Sequence, residues 1–202
     1  MTVQDFIQKI GPIIKKESIS RGYKICSPVI AQAIIEGRYG NSVLASKYHN
    51  HFGMKCGSNY NGSSVNMQTG EEYIPGVHTT INANFRTYKT DEDGIKGYYD
   101  FMEYPRYANL KNCDNSLTYI TLLKRDGYAT SSTYIRTLST TIATYNLKSY
   151  DAKPVYKKPT VQVVNDVISG KYGSGDDRRK KLESEGYIYS EVQQMVNKKL
   201  HK

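Results

Sequence analysis

The chain has no tryptophan, only four phenylalanines, and three cysteines in 202 residues. Cys26, Cys56 and Cys113 are odd in number and form no CxxC pair, which excludes a disulfide scaffold and a thiolate zinc ribbon; reduced thiols are expected. No run approaches the ~20 apolar residues of a membrane span, so none is expected. Met1–Ile10 has no basic start leading into an apolar core, and no secretory signal is read there. His49-Asn-His51 lacks the HExxH spacing, and Gly173-Ser-Gly175 lacks the strand and spacing of a phosphate loop. Neither a metal nor a cofactor is expected.

Positive charge is abundant. The formal net charge is +9, which favours a polyanionic partner. The surplus is spread: residues 1–159 carry 20 Lys/Arg against 13 Asp/Glu, and residues 160–202 carry 8 against 6. A nucleic-acid binder would concentrate it in a stripe or tail, so nucleic acid is not the expected partner. Tyrosine is frequent, with 19 copies, and supplies flat apolar faces with a hydrogen-bonding edge suited to sugars as well as to cores. The oligomeric state has no signature in the sequence.

The chain divides into residues 1–149, a linker at 150–160 with two prolines and three lysines, and a compact segment at 161–202. Val3, Phe6, Ile7, Ile10, Ile13 and Ile14 fall at helical spacing, with Gly11-Pro12 interrupting or kinking the helix. A second helix is expected with Ser27 as N-cap, Pro28 in its first turn and Gly37 as C-cap; it has almost no polar face and should be buried. Residues 41–70 read as irregular. Residues 64–88 read as a hairpin turning at Pro75-Gly76, and 91–104, 115–125 and 131–146 as helices. The last segment reads as three short helices: one ended by Gly170, one over Arg178–Glu185, and one N-capped by Ser190. The expected fold is α+β, mainly helical, followed by a small three-helix bundle.

Glu36 is the sharpest candidate for chemistry. It ends the buried helix on the face shared by Val29, Gln32 and Ala33, just before a polar loop. Partial desolvation there raises a carboxyl pKa and suits a general acid. Glu72, or its neighbour Glu71, enters the hairpin and could supply the second carboxylate that glycoside hydrolysis usually needs. On spacing alone, both are also compatible with ordinary surface glutamates, the hairpin residue more readily than Glu36.

Four segments carry a resemblance. Ala31-Gln-Ala-Ile-Ile-Glu36-Gly-Arg-Tyr-Gly40-Asn-Ser42, Asn50-His-Phe52-Gly53-Met-Lys55, Glu72-Tyr73 with Gly76 and Asn84-Phe85-Arg86-Thr-Tyr88, and Tyr128-Ala-Thr130 with Tyr134 resemble, in order, the motifs of glycoside hydrolase family 73. The resemblance implies a lysozyme-like α-lobe with a β-lobe. It implies cleavage of the β-1,4 bond between N-acetylglucosamine and N-acetylmuramic acid in bacterial peptidoglycan, without a metal. It carries the general acid onto Glu36 and the β-lobe carboxylate onto Glu72, with Glu71 as alternative. Tyr128 becomes a catalytic or sugar-orienting residue, and Phe52 and Tyr134 become substrate contacts. Gly37-Arg38-Tyr39 departs from the family's Ser-x-Trp, and Ser131-Ser-Thr133 from its Asp-Pro. Val164 to Asn197 resembles a CW-seven wall-binding repeat, which makes Tyr172, Arg178 and Tyr187 expected wall contacts. An enzyme made in the bacterial cytoplasm and acting on the wall after release, as a phage endolysin does, is the resulting expectation. A muramidase or lytic transglycosylase on the same polymer, or a non-catalytic wall binder, are the alternatives.

Overall fold

In a computed structural model the described residues are 1–58, 60–74, 77–151 and 158–201, with the backbone alone at 71–74, 77 and 78. The chain forms two compact units, Met1–Ala152 and Lys153–Lys202. Among the described residues no helix is long and apolar enough to cross a membrane.

The first unit is built around one apolar helix. Helix α1 (Val3–Ser20) starts with a capping box in which Thr2 and Asp5 satisfy each other's backbone N–H groups. It runs unbroken through Pro12, so the expected interruption does not occur. Gly11 instead makes room for a neighbour: a Cβ there would lie within 2.5 Å of the Tyr150 ring. Helix α2 (Ser27–Glu36) has Val29, Ile30, Ala31 and Ala33 all at 0% exposure and packs against α1 and two later helices, α5 (Ser116–Arg125) and α6 (Tyr134–Thr144). Val29 and Ile30 each contribute roughly 1.5–3 kcal/mol by their burial.

The N-terminus of α2 differs from the expectation that Ser27 caps it. Ser27 is the first helical residue, Cys26 stands at the cap without a side-chain bond to the helix N–H groups, and the cap comes from far away. Asp151 Oδ1 accepts from the N–H groups of Cys26 (2.8 Å) and Ser27 (2.7 Å), and its Oδ2 from Ser27 Oγ (2.9 Å). A carboxylate at a helix N-terminus satisfies orphan donors and complements the helix dipole.

After α2 comes a short helix, α3 (Val43–Tyr48), within the segment expected to be irregular. Ser42 caps it by accepting from the N–H of Ala45. Strands β1 (Ser64–Ile74) and β2 (Val77–Arg86) form the expected antiparallel hairpin. Its register pairs Val65 with Phe85, Met67 with Ala83 and Thr69 with Ile81, and this face is half-buried while the other is exposed. The Pro75-Gly76 turn lies outside the described residues.

Helix α4 (Asp91–Met102), capped by Thr90, buries Ile95, Tyr98, Tyr99 and Met102 completely, as their spacing predicts. A 3₁₀ segment, Pro105–Asn112, leads to α5, and a second, Leu147–Tyr150, closes the unit. Tyr23, Tyr98, Tyr99, Tyr107 and Tyr119 are all core residues, so much of the tyrosine content fills the interior in place of tryptophan.

The second unit contains α7 (Val161–Ile168), α8 (Gly175–Ser184) and α9 (Tyr189–Leu200) around Val163, Val164, Val167, Tyr172, Leu182, Tyr187, Val192 and Val196. Thr160 caps α7. The expected cap at Ser190 is corrected: Ser190 lies inside α9, which starts one residue earlier after Ile188. Helix α8 likewise starts three residues before Arg178, led by Asp176 and Asp177, whose charges suit a helix N-terminus.

Candidate active site

Glu36 is the last residue of α2, followed by Gly37 as C-cap. The buried body of α2 fixes the backbone beneath it. Beyond it the chain takes a tight course in which Arg38 (φ 47°) and Tyr39 (φ 43°) are both left-handed. Two successive non-glycine residues there cost of order 1–3 kcal/mol each, a strain that persists only where the surroundings over-determine it and that gathers at functional sites. The turn is held by Tyr39 N–H to Ile34 O (2.8 Å) and Ser42 N–H to Gly37 O (3.1 Å). Tyr39, three residues after Glu36 in the chain, is 38% exposed.

The Glu36 side chain reaches solvent yet is surrounded by enough protein that desolvation raises its pKa above the ordinary carboxyl value. Crowding by protein disfavours the charged form of a carboxyl even where part of the side chain meets solvent. This is the setting of a carboxylic acid that keeps its proton to give away.

Tyr128 and Tyr134 stand close enough for the Glu36 charge to act on both. Burial raises each phenol's pKa well above the usual value, and a negative Glu36 raises it further. Both therefore stay protonated. Their rings are 6.5 Å apart. Tyr128 is half-buried, while Tyr134 is 9% exposed and its hydroxyl, buried, has no hydrogen-bond partner among the described residues. Glu36, Tyr128 and Tyr134, spread over a hundred residues of sequence, are thus brought together.

Phe52 is placed differently. Its ring is 4% exposed and stacks on Tyr98 at 4.1 Å, so it stands beneath the site rather than on its surface. Tyr98 and Gln32, neither among the expected site residues, form that floor. The Tyr98 hydroxyl donates to Gln32 Oε1 at 2.7 Å, and both side chains are wholly buried. Gln32 lies one turn before Glu36, next to Tyr128. Its signal in the sequence was a lone amide in an otherwise apolar helix.

Glu71 and Glu72 lie on β1, where Glu71 pairs with Thr79 and Glu72 falls in the register irregularity before Ile74. Their side chains lie outside the described residues.

The paired histidines have a partner of another kind. His49 Nδ1 and His51 Nε2 both lie 2.7 Å from Asp91 Oδ1, and Lys9 Nζ lies 2.6 Å from Oδ2. Burial opposes the charge on Asp91, but hydrogen bonds from His51, Lys9 and His49 together outweigh it and hold the carboxyl well below its usual range. Gly94 lets α4 approach closely enough, since a Cβ there would collide with the His49 carbonyl oxygen. The cluster ties α1, the 49–51 loop and α4 together behind the acid. Among the described residues no group of three or more His, Cys, Asp or Glu could hold a metal.

In the second unit Tyr172 (5% exposed) and Tyr187 (9% exposed) belong to the core. The Tyr172 hydroxyl donates to Glu185 Oε2 at 2.7 Å. Arg178 donates to Gly173 O (3.0 Å) and Gln193 Oε1 (3.1 Å), fastening the loop before α8 to α9. All three expected wall contacts take part in holding the unit together.

Residues 11–147 match the family model described as mannosyl-glycoprotein endo-beta-N-acetylglucosaminidase, and residues 161–200 match the CW_7 repeat. The chain is 33% identical over 187 residues to exo-glucosaminidase LytG of Bacillus subtilis, covering 86% of this chain and 64% of LytG. It is 31% identical to the peptidoglycan hydrolase FlgJ of Pseudomonas aeruginosa over 67% of this chain and 35% of FlgJ. The chain thus spans less than two thirds of these relatives. The crystal structure of the catalytic domain of the autolysin Auto from Listeria monocytogenes superposes with a TM-score of 0.61 at 31% identity, covering 74% of this chain and 87% of that domain. With its mainly helical, lysozyme-like first unit and small antiparallel hairpin, the chain belongs to the glucosaminidase family, glycoside hydrolase family 73, and carries one CW_7 repeat at its C-terminal end.

Proposed function

We propose that the chain is a peptidoglycan hydrolase cleaving the β-1,4 bond between N-acetylglucosamine and N-acetylmuramic acid. The observation that carries this reading is Glu36, held at the end of a buried helix, raised in pKa by desolvation and faced by two protonated tyrosines. Glu36 gives its proton to the glycosidic oxygen as the bond to the anomeric carbon breaks. The half-buried Tyr128 donates a hydrogen bond to the sugar as positive charge grows on its ring, and Tyr134 packs beside it. Glu72, or Glu71, on the hairpin faces that charge and activates the incoming water. The names of LytG and FlgJ support the glucosaminidase activity and the peptidoglycan substrate.

The CW_7 repeat raises the local concentration of the first unit at the wall by tethering. A glycosidase joined to such a repeat, resembling the phage lysozymes that carry it, supports a role as a phage endolysin that lyses the host after release.

The test is digestion of purified peptidoglycan by the wild type and Glu36→Gln, with borohydride reduction and mass spectrometry of the products. Reduced N-acetylglucosamine ends from the wild type alone are expected. Reduced muramic ends would make the chain a muramidase, and anhydro ends a transglycosylase. Large fragments at early times mark internal cutting, whereas release of small units from chain ends would place it with the exo-acting LytG. For the lytic role, induced expression in a bacterial host should lyse cells only when a membrane-permeabilising protein is co-expressed.

A further inference from the structure

Ring contacts lead away from the proposed acid along one line. Tyr128, beside Glu36, meets Phe101 at 6.4 Å between ring centroids, and Phe101 meets Tyr104 edge-on at 5.3 Å. Tyr107 supports the track from below, 5.7 Å from Phe101 and 6.4 Å from Tyr128, and is wholly buried. At the outer end Tyr104 is 52% exposed. A core has no use for a half-exposed tyrosine at the end of an aromatic row, whereas a sugar face does.

A cation stands at the same end. The Arg106 guanidinium lies 4.7 Å from the Tyr107 ring centre and 5.7 Å from that of Phe101. Arg106 is exposed, and among the described residues no carboxylate pairs with it. Three other cations of this unit are paired with carboxylates: Arg21 with Glu17 and Asp100, Lys24 with Asp114, and Lys111 with Glu103. Stacking holds the Arg106 fork in place and leaves its N–H edge free for a planar anion. Tyr104, Pro105 and Arg106 line a shallow, open concavity of about 330 Å³.

We infer that Phe101, Tyr104 and Arg106 form an outer glycan subsite, continuous with the cleavage site through Tyr128, in which Tyr104 receives a sugar face and Arg106 a carboxylate carried by that strand. The inference rests on the reading of the chain as a wall glycosidase and adds where the strand runs and which charge it bears. Two carboxylates of such a strand meet the description: the lactyl group of a muramyl residue, and the peptide attached to it. A neutral N-acetylglucosamine oligomer offers the stacking face alone.

Arg106→Gln and Tyr104→Ala are compared with the wild type on three substrates: a neutral N-acetylglucosamine oligomer, glycan strands stripped of peptide, and strands that keep it. Arg106→Gln should raise KM about three- to tenfold on the acidic strands with kcat little changed, leave the neutral oligomer alone, and recover in part as Arg106→Lys. The difference should shrink at high salt. Tyr104→Ala should raise KM on all three. A larger effect on stripped strands assigns the lactyl carboxylate; a larger effect on peptide-bearing strands assigns the peptide. Equal effects of Arg106→Gln on neutral and acidic substrates, or none, overturn the inference. Calorimetric titration of the acidic strands into Glu36→Gln and into Glu36→Gln/Arg106→Gln reads the subsite without turnover. A tighter Kd for the former would uphold it even if the wild type proved inactive, which separates its failure from that of the catalytic reading.

Discussion

The hydroxyl of Tyr98 donates to the amide oxygen of Gln32 at 2.7 Å, one helical turn before Glu36, where neither side chain touches solvent. Tyr98→Phe leaves that oxygen buried with no donor. A cost of about 1–3 kcal/mol is expected, read from urea unfolding. Because Gln32 adjoins Tyr128, kcat should fall as well, while KM for a soluble glycan changes little. A stability loss with unchanged kcat would confine the pair to the core.

As the proposed general acid, Glu36 should set the alkaline side of the pH profile. Its function needs the proton, and desolvation raises its pKa. Activity should therefore persist above the ordinary glutamate value of about 4.3 and fall as the pH rises through the raised one. Trimming the partly exposed apolar neighbour, as in Ile35→Ser, should hydrate Glu36 and move that limb toward lower pH. Glu36→Gln should lower kcat by about two to four orders of magnitude with the melting temperature unchanged or higher. An unchanged limb in a hydrated variant would show that another group sets it.

Tyr134 separates stability from activity. Its hydroxyl is buried without a partner among the described residues, so Tyr134→Phe removes an unsatisfied group and should be neutral or stabilising by up to about 1 kcal/mol. If that hydroxyl serves the sugar, kcat falls about tenfold or more in the same variant. Full activity would leave Tyr134 as packing only.

Asp91 gives the first unit its acid sensitivity. Its folded pKa is lowered by His51, Lys9 and His49 against the opposing effect of burial. The stability it contributes is present above its unfolded pKa of about 3.9 and is lost as the pH falls below that toward the depressed value. Asp91→Asn should cost about 3 kcal/mol at neutral pH and flatten the acid limb of the unfolding curve. An acid limb that keeps its slope would assign the sensitivity to another carboxylate.

Leu182, at 0% exposure in the second unit, tests the tether. Leu182→Ala should cost that unit about 2–5 kcal/mol and weaken pull-down on insoluble walls. Turnover of a short soluble glycan should not change. A parallel loss on both substrates would show that the repeat does more than tether.

The helices with regular apolar spacing were legible, because burial acts on local pattern: α2 and α4 are where Val29, Ile30, Ile95 and Tyr98 put them. Glu36 was legible for the same reason, as the polar end of an apolar helix. What escaped depends on partners distant in the chain. Ser27 looked like a cap because nothing nearby marks Asp151, and Gly11 looked like part of a break or kink because nothing nearby says that Tyr150 packs on it. His49 and His51 looked like an isolated pair until α4 brought Asp91 between them. Phe52 sits in a motif whose composition cannot distinguish a sugar contact from the ring that supports Tyr98.

The cap that Asp151 places on α2 joins residues 124 positions apart. On a ribosome the helix bearing Glu36 emerges early with its first N–H groups unmatched, and it acquires their acceptor only when the end of the catalytic unit has been made. Such long-range closure belongs to slow folding and late cooperativity rather than to piecewise assembly. A nascent or proteolytically shortened chain ending before residue 151 therefore carries Glu36 on a helix whose first N–H groups lack this acceptor.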